Sequence, residues 1–152
     1  MKKFKEGVGG IVLALITLLA TPAIAQKTPV GVTYDTTIVR AIDGDTIVIT
    51  APYLPAPLKP ELGVRIFGVD TPEKSFRAKC TSEKVRGEQA SEFTNLVIKS
   101  TKKHQVVLYD WDKFGGRVLG DIILDGMSLR DLLIKNGFAR AYFGDAKQSW
   151  CN

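Results

Sequence analysis

The chain has 152 residues, a length that fits one domain, and 45% of them are hydrophobic, which excludes wholesale disorder. Its 21 Lys and Arg against 16 Asp and Glu give a formal charge of +5, a mild basic excess that is compatible with a polyanionic partner without requiring one. Two cysteines and a single histidine exclude a Cys-rich zinc site.

The first segment differs in kind from the rest. Lys2, Lys3 and Lys5 precede an almost wholly apolar run from Val8 to Ala20, and Ala23-Ile24-Ala25 places small residues where a signal peptidase reads them. This predicts a secretory signal over residues 1–25, cut after Ala25. The apolar run is short for a span of ~30 Å of hydrocarbon, so no stable membrane association is expected after cleavage. The mature chain, Gln26–Asn152, is expected to be a single domain and a monomer in a periplasm or outside the cell. Loss of Lys2, Lys3, Lys5 and Glu6 lowers its formal charge to +3. Exported chains keep disulfides, and Cys80 with Cys151 is the one intramolecular pairing available.

Gln26 to Asp35 reads as a leader into the fold. Thr36–Ile42 and Thr46–Thr50 are rich in β-branched residues and flank Asp43-Gly44-Asp45, a turn signal, so they predict a hairpin. Ala51 to Pro60 carries four prolines and is expected to be a stiff loop. Leu62–Val69 is a third strand. Thr81 or Ser82 caps a helix running to about Ser100, with Ala90, Phe93 and Val97 as its buried stripe and Glu83, Lys84, Arg86 and Glu92 on its wet surface. His104–Tyr109 and Arg117–Leu124 are two more strands around a polar turn that ends in glycine. Ser128, with Asp131 three residues on, opens a second helix whose buried face is Leu129, Leu132 and Leu133. Asn136-Gly137 stops that helix, and Phe138–Phe143 is extended. The expected class is α+β, mainly β: an OB-type five-stranded Greek-key barrel with two or three helices.

The chemistry concentrates in V-R-I-F-G-V-D-T-P-E, Val64 to Glu73. Two carboxylates three residues apart, just past a strand end, suit two tasks: one to bind a hard cation, the other to take a proton. Asp45, Asp70 and the backbone carbonyl of Thr71 would make an oxygen-only site of the kind calcium accepts. Glu73 is the general-base candidate, and Pro72 holds Thr71 extended and so helps to aim it. Arg65, inside an apolar strand, needs an anion partner. With Arg117 it forms a candidate phosphate clamp, and Lys113 and Tyr142 are candidates for further substrate contacts.

Three segments, A-I-D-G-D-T (Ala41–Thr46), R-I-F-G-V-D-T-P-E (Arg65–Glu73) and D-K-F-G-G-R (Asp112–Arg117), resemble the active-site motifs of the thermonuclease, or staphylococcal-nuclease-like, family. The resemblance spans roughly Thr36 to Tyr142. It implies an OB-type barrel and calcium-dependent hydrolysis of DNA and RNA phosphodiesters, leaving 3′-phosphate ends. By motif, Asp45, Asp70 and the Thr71 carbonyl correspond to the calcium ligands. Glu73 corresponds to the proposed base, Arg65 to the arginine on the scissile phosphate and Arg117 to the one that stabilises the transition state. Lys113 and Tyr142 correspond to residues that line the nucleotide pocket. The chain departs from the pattern in an additional glycine before Arg117 and in Phe114 where the best-known member has Tyr. The alternative is a non-catalytic OB-type nucleic-acid-binding module, which needs exposed aromatics and a basic groove but neither the acids nor the paired arginines.

Overall fold

A computed structural model describes residues 29–151, so the signal assigned to residues 1–25 lies outside the described residues. Nine strands and two helices follow in order. The strands are β1 Val32–Asp35, β2 Ile38–Ala41, β3 Thr46–Thr50, β4 Glu61–Ile66, β5 Val69–Asp70, β6 His104–Trp111, β7 Arg117–Leu124, β8 Met127–Ser128 and β9 Arg140–Ala141. Helix α1, Thr81–Ser100, lies between β5 and β6, and α2, Leu129–Lys135, lies between β8 and β9. The main sheet runs β1-β6-β7-β4-β3-β2, with β8 added to β7, and β5 and β9 form a separate pair.

The fold is mainly β with helices, of the OB type expected. β4 and β7 pair in parallel, whereas the other ladders are antiparallel. No ladder joins β1 to β2, so the hydrogen-bonded sheet is open rather than a closed barrel. Its two edge strands are nevertheless separated in the chain only by Thr36 and Thr37. Thr36 N–H donates to His104 O at 3.0 Å on one edge, and Thr50 N–H donates to Thr37 O at 2.9 Å on the other. The two edges therefore meet at one corner.

Alternation explains the core. Along β4, Leu62, Val64 and Ile66 point inward and Gly63 and Arg65 do not, as a period of two demands. Val64 and Ile66 meet Ile47 and Ile49 of β3, Ile122 of β7 and Leu133 of α2. Full burial of one such side chain stabilises the fold by roughly 1.5–3 kcal/mol. Helix α1 closes the remaining side with Ala90, which is fully buried, and with Phe93, which stacks on Phe138 at 4.5 Å between ring centres.

Four expectations need correction. The leader contains a strand, because Val32–Asp35 pairs along β6; all four residues are exposed, so no burial pattern marked it. The third strand breaks after Ile66, where Gly68 adopts a positive φ of 81° and turns the chain into β5. β6 continues to Trp111, two residues past the expected end, because it pairs with β7 beyond an irregularity between Leu108 and Asp110. Helix α1 is capped by the sulfur of Cys80, which accepts from Glu83 N–H at 3.4 Å, rather than by Thr81 or Ser82. The second helix begins as expected, with the Ser128 hydroxyl accepting from Asp131 N–H at 3.2 Å.

Candidate active site

The turn between β2 and β3 is fixed from both sides. Gly44 O accepts from the Thr94 hydroxyl of α1 at 2.8 Å, and Asp45 O accepts from Ile66 N–H of β4 at 2.8 Å. These bonds leave Asp45 with no exposed surface. A buried carboxylate needs donors, and Asp45 has them. The Arg65 guanidinium pairs with Oδ1, and Thr71 supplies its hydroxyl at 2.8 Å and its N–H at 3.3 Å to Oδ2. Burial pushes the Asp45 carboxyl up to about 7. The Arg65 charge pulls it back down, and the neighbouring Asp43 carboxylate raises it further. Arg65 thus has the anion partner that its place in an apolar strand required.

Arg65 also reaches a cleft of about 540 Å³ whose wall includes Glu73, Arg117, Lys113 and Tyr142. All five residues assigned to catalysis or substrate contact therefore line one cavity. Arg117 lines the cleft with the additional glycine in place. Gly115 and Gly116 both adopt positive φ, 70° and 68°, so the extra residue is taken up in the turn. Asp112 N–H donates to Arg117 O at 3.1 Å across the base of that turn. The buried Asp112 carboxylate grips Arg117 Nε and accepts from Phe114 N–H at 3.3 Å. Burial alone would raise the Asp112 carboxyl. The Arg117 bond, the Phe114 N–H and the charges of Arg117 and Arg65 outweigh it and hold the group below the usual carboxylate range.

A second cleft, of about 310 Å³, adjoins the first. Asp70 and Thr71 line it, and Glu73, Arg77 and Lys147 border both cavities. Glu73 therefore stands at their junction. Asp70 is held by its backbone, in the β5–β9 pairing opposite Arg140, and by its side chain. Lys147 Nζ lies 2.6 Å from Oδ1, and Trp150 Nε1 donates to Oδ2 at 2.9 Å.

The donors that could take a cation are the carboxylates of Asp45 and Asp70 and the carbonyl of Thr71. The set is all oxygen, a donor chemistry that suits a hard cation such as calcium and not a thiophilic one. Asp70 and Thr71 line the second cleft, and the buried Asp45, which lines neither, is tied to them through the Thr71 N–H and hydroxyl. Lys147 holds part of Asp70 and would compete with such an ion. Among the described residues, Cys80, Glu83 and Cys151 also bring potential ligand atoms together, but the two sulfurs are bonded to each other and offer no thiolate.

Several residues escaped the sequence reading. Glu83, expected on the wet face of α1, is buried and accepts from Lys79 N–H at 2.7 Å and Glu73 N–H at 3.4 Å, tying the loop after β5 to the helix. Its charge disguised it. A Cβ on Gly87 would lie 2.4 Å from the Glu73 carbonyl oxygen and 2.8 Å from that of Pro72. Only glycine lets this backbone lie against α1. An isolated glycine within a helical pattern was the signal available. Trp150 lies 80 residues from Asp70 in sequence, and no local pattern links them.

Comparison with known proteins places the chain in a family. A family model described as staphylococcal nuclease homologue matches residues 63–150, from β4 to Trp150. Over 115 residues the chain is 31% identical to the protein named Endonuclease YhcR of Bacillus subtilis (strain 168). That alignment covers 72% of this chain and 9% of the Bacillus protein, so the chain spans a small part of that relative's length.

Proposed function

This chain belongs to the family of staphylococcal nuclease homologues, and from that premise we propose that it is an exported, calcium-dependent nuclease that hydrolyses phosphodiester bonds of DNA and RNA and leaves 3′-phosphate ends. The observation that carries the reading is the convergence of Glu73, Arg65 and Arg117 on one cleft.

In this reading Arg65 and Arg117 hold the equatorial oxygens of the scissile phosphate. A planar guanidinium meets two oxygens at once, which an ammonium cannot do. Asp45 and Asp112 fix the two forks from behind. Glu73 takes a proton from water as the water oxygen bonds to phosphorus, and the bond from phosphorus to the 5′-oxygen breaks. The departing oxygen takes its proton from solvent. Asp45, Asp70 and the Thr71 carbonyl would hold calcium, which when bound supplies charge neutralisation beside the phosphate. Lys113 and Tyr142 contact the nucleotide.

Export rests on the basic start, apolar core and A-I-A of residues 1–25. The described residues contain no helix long and apolar enough to cross a membrane. The rival reading is a binding module without catalysis. Incubation of plasmid DNA and of a structured RNA with the mature chain, in calcium or in excess chelator, separates the two. Cleavage of both substrates in calcium and of neither in chelator is expected. Retarded but uncut nucleic acid would favour the module, and full cutting in chelator would remove calcium from the mechanism.

A further inference from the structure

Residues 147–151 form a strap over Asp70. Cys151 is bonded to Cys80, at the N-cap of α1, with 6.0 Å between the two Cα atoms. Just before it, Trp150 is nearly buried. The Arg140 guanidinium lies 3.7 Å above the Trp150 ring centre, Arg140 Nη1 donates to Ser149 O at 3.0 Å, and Arg86 Nη1 donates to Trp150 O at 3.5 Å. The strap is thus clamped by the disulfide and by two arginines, and its one indole N–H is aimed at Asp70 Oδ2. A carboxylate that serves as a metal ligand depends on the hydrogen bonds that orient it, and loss of such a bond commonly weakens metal binding by about 10–100-fold.

We propose that Trp150 is a positioning residue for the Asp70 carboxylate, and that the Cys80–Cys151 disulfide, by seating Trp150, couples the oxidation state of the chain to its cation affinity. This rests on the reading of Asp70 as a calcium ligand. The coupling must run both ways. If the disulfide raises calcium affinity by some factor, calcium shifts the exchange between protein disulfide plus a dithiol reductant and protein dithiol plus oxidised reductant by that same factor. Two electrons and two protons pass from reductant to protein, so the exchange balances without another reactant. Trp150 is the link between the two sites, and an indole replaced by a benzyl group breaks it.

The test uses the mature chain and measures calcium binding directly by calorimetry, with far-UV dichroism and melting confirming the fold in each arm. Oxidised wild type is compared with oxidised Trp150→Phe, reduced wild type, reduced Trp150→Phe and Asp70→Ala. Trp150→Phe and reduction are each expected to weaken calcium binding about 10-fold or more. Their combination should add little, because both remove the same bond. Titration with dithiothreitol then reads the second direction. Calcium should protect the wild-type disulfide by the factor measured in binding, and should fail to protect it in Trp150→Phe, a result that mere loss of packing does not produce. Unchanged calcium affinity in Trp150→Phe, with unchanged calcium protection, overturns the inference. Should that variant melt below the assay temperature, reduced wild type decides: equal affinity in both redox states overturns the proposal. If oxidised wild type binds no calcium, or Asp70→Ala binds as tightly as wild type, the calcium reading itself fails and takes this inference with it.

Discussion

At the scale of single residues, the arrangement separates the groups that line the cleft from those that hold them. Arg117 meets the cleft, and Asp112 behind it fixes its orientation. Arg65 meets the same cleft, and the fully buried Asp45 fixes that one. Arg65 stood out in the sequence as a charge in an apolar strand and Glu73 as one of two acids past its end, whereas Arg117 was marked only by its motif. The acids behind the two arginines were less legible. Asp45 and Asp112 sit in turn motifs that most often only turn the chain, and only three-dimensional pairing distinguishes them. This division yields a graded expectation. Glu73→Gln keeps size and shape but cannot accept a proton, so turnover should fall by about 10²–10⁴-fold while nucleotide affinity in calcium survives. Arg117→Lys keeps the charge and loses the fork, and should cost about 10²–10³-fold in turnover with modest loss of binding. Stopped-flow cleavage and equilibrium binding of a short oligonucleotide check both. Near wild-type turnover in Arg117→Lys would show that Arg117 does not meet the reacting phosphate.

At the scale of elements, the periodic segments were readable and the edges were not. β4 and most of β7 alternate against a common core, β3 is a run rich in β-branched residues whose first four are all buried, and α2 shows itself through its cap and its Asn136-Gly137 stop. β1 has no buried face, and β5 and β9 have two residues each, too few to show a period. Two contacts between elements give predictions. Gly87→Ala sets intrinsic propensity against packing: alanine favours a helix interior by ~1 kcal/mol. Its Cβ would collide with the backbone at Pro72 and Glu73, which cannot swing aside as a side chain does. Overpacking of this kind costs about 1–3 kcal/mol, so the variant should melt lower than wild type, and its turnover should fall as Glu73 is displaced. A higher melting temperature would mean that the loop gives way freely. Asp121 is the second case. Buried on β7, it accepts from Ser128 Oγ at 2.5 Å, Ile122 N–H at 2.8 Å and Arg130 N–H at 3.3 Å, joining the sheet to the start of α2. Burial raises its carboxyl above the usual range despite these donors. The folded chain therefore holds the Asp121 proton where the unfolded chain has released it, and this group's contribution to stability declines as pH rises above about 4. Asp121→Asn keeps an acceptor and sheds the charge. It should be more stable than wild type to urea at pH 7.5, with the difference shrinking toward pH 4.5. A constant difference across that range would show that Asp121 does not titrate abnormally.

At the scale of the whole molecule, two features tie distant parts of the chain together: the sheet corner at Thr36–Thr37 and the strap that carries Cys151. Five strands with a helix between the third and fourth were enough to suggest the OB type, and the three motifs meet at one cleft, lined by Asp43 from the first, Arg65 and Glu73 from the second, and Lys113 and Arg117 from the third. The strap was legible only as a pairing of two cysteines. What it covers was not, since the contact of Trp150 with Asp70 is made by the fold and by no local pattern. The Cys80–Cys151 bond spans 71 residues, including α1, β6, β7 and α2. A loop of that length removes about 4 kcal/mol of chain entropy from the unfolded state in the loop-closure account. That is a large share of the 5–15 kcal/mol typical of a small domain. The bond joins the N-cap of α1 to Cys151, and the hydrophobic core cluster contains neither cysteine. A paired Cys80→Ser, Cys151→Ser variant should therefore still fold, yet unfold in urea with a loss of stability approaching 4 kcal/mol relative to oxidised wild type. Thiol titration of the unreduced mature chain should find no free sulfhydryl. Two titratable thiols in native protein, or equal urea midpoints for the variant and wild type, would show that the strap is held by the Trp150 contacts alone.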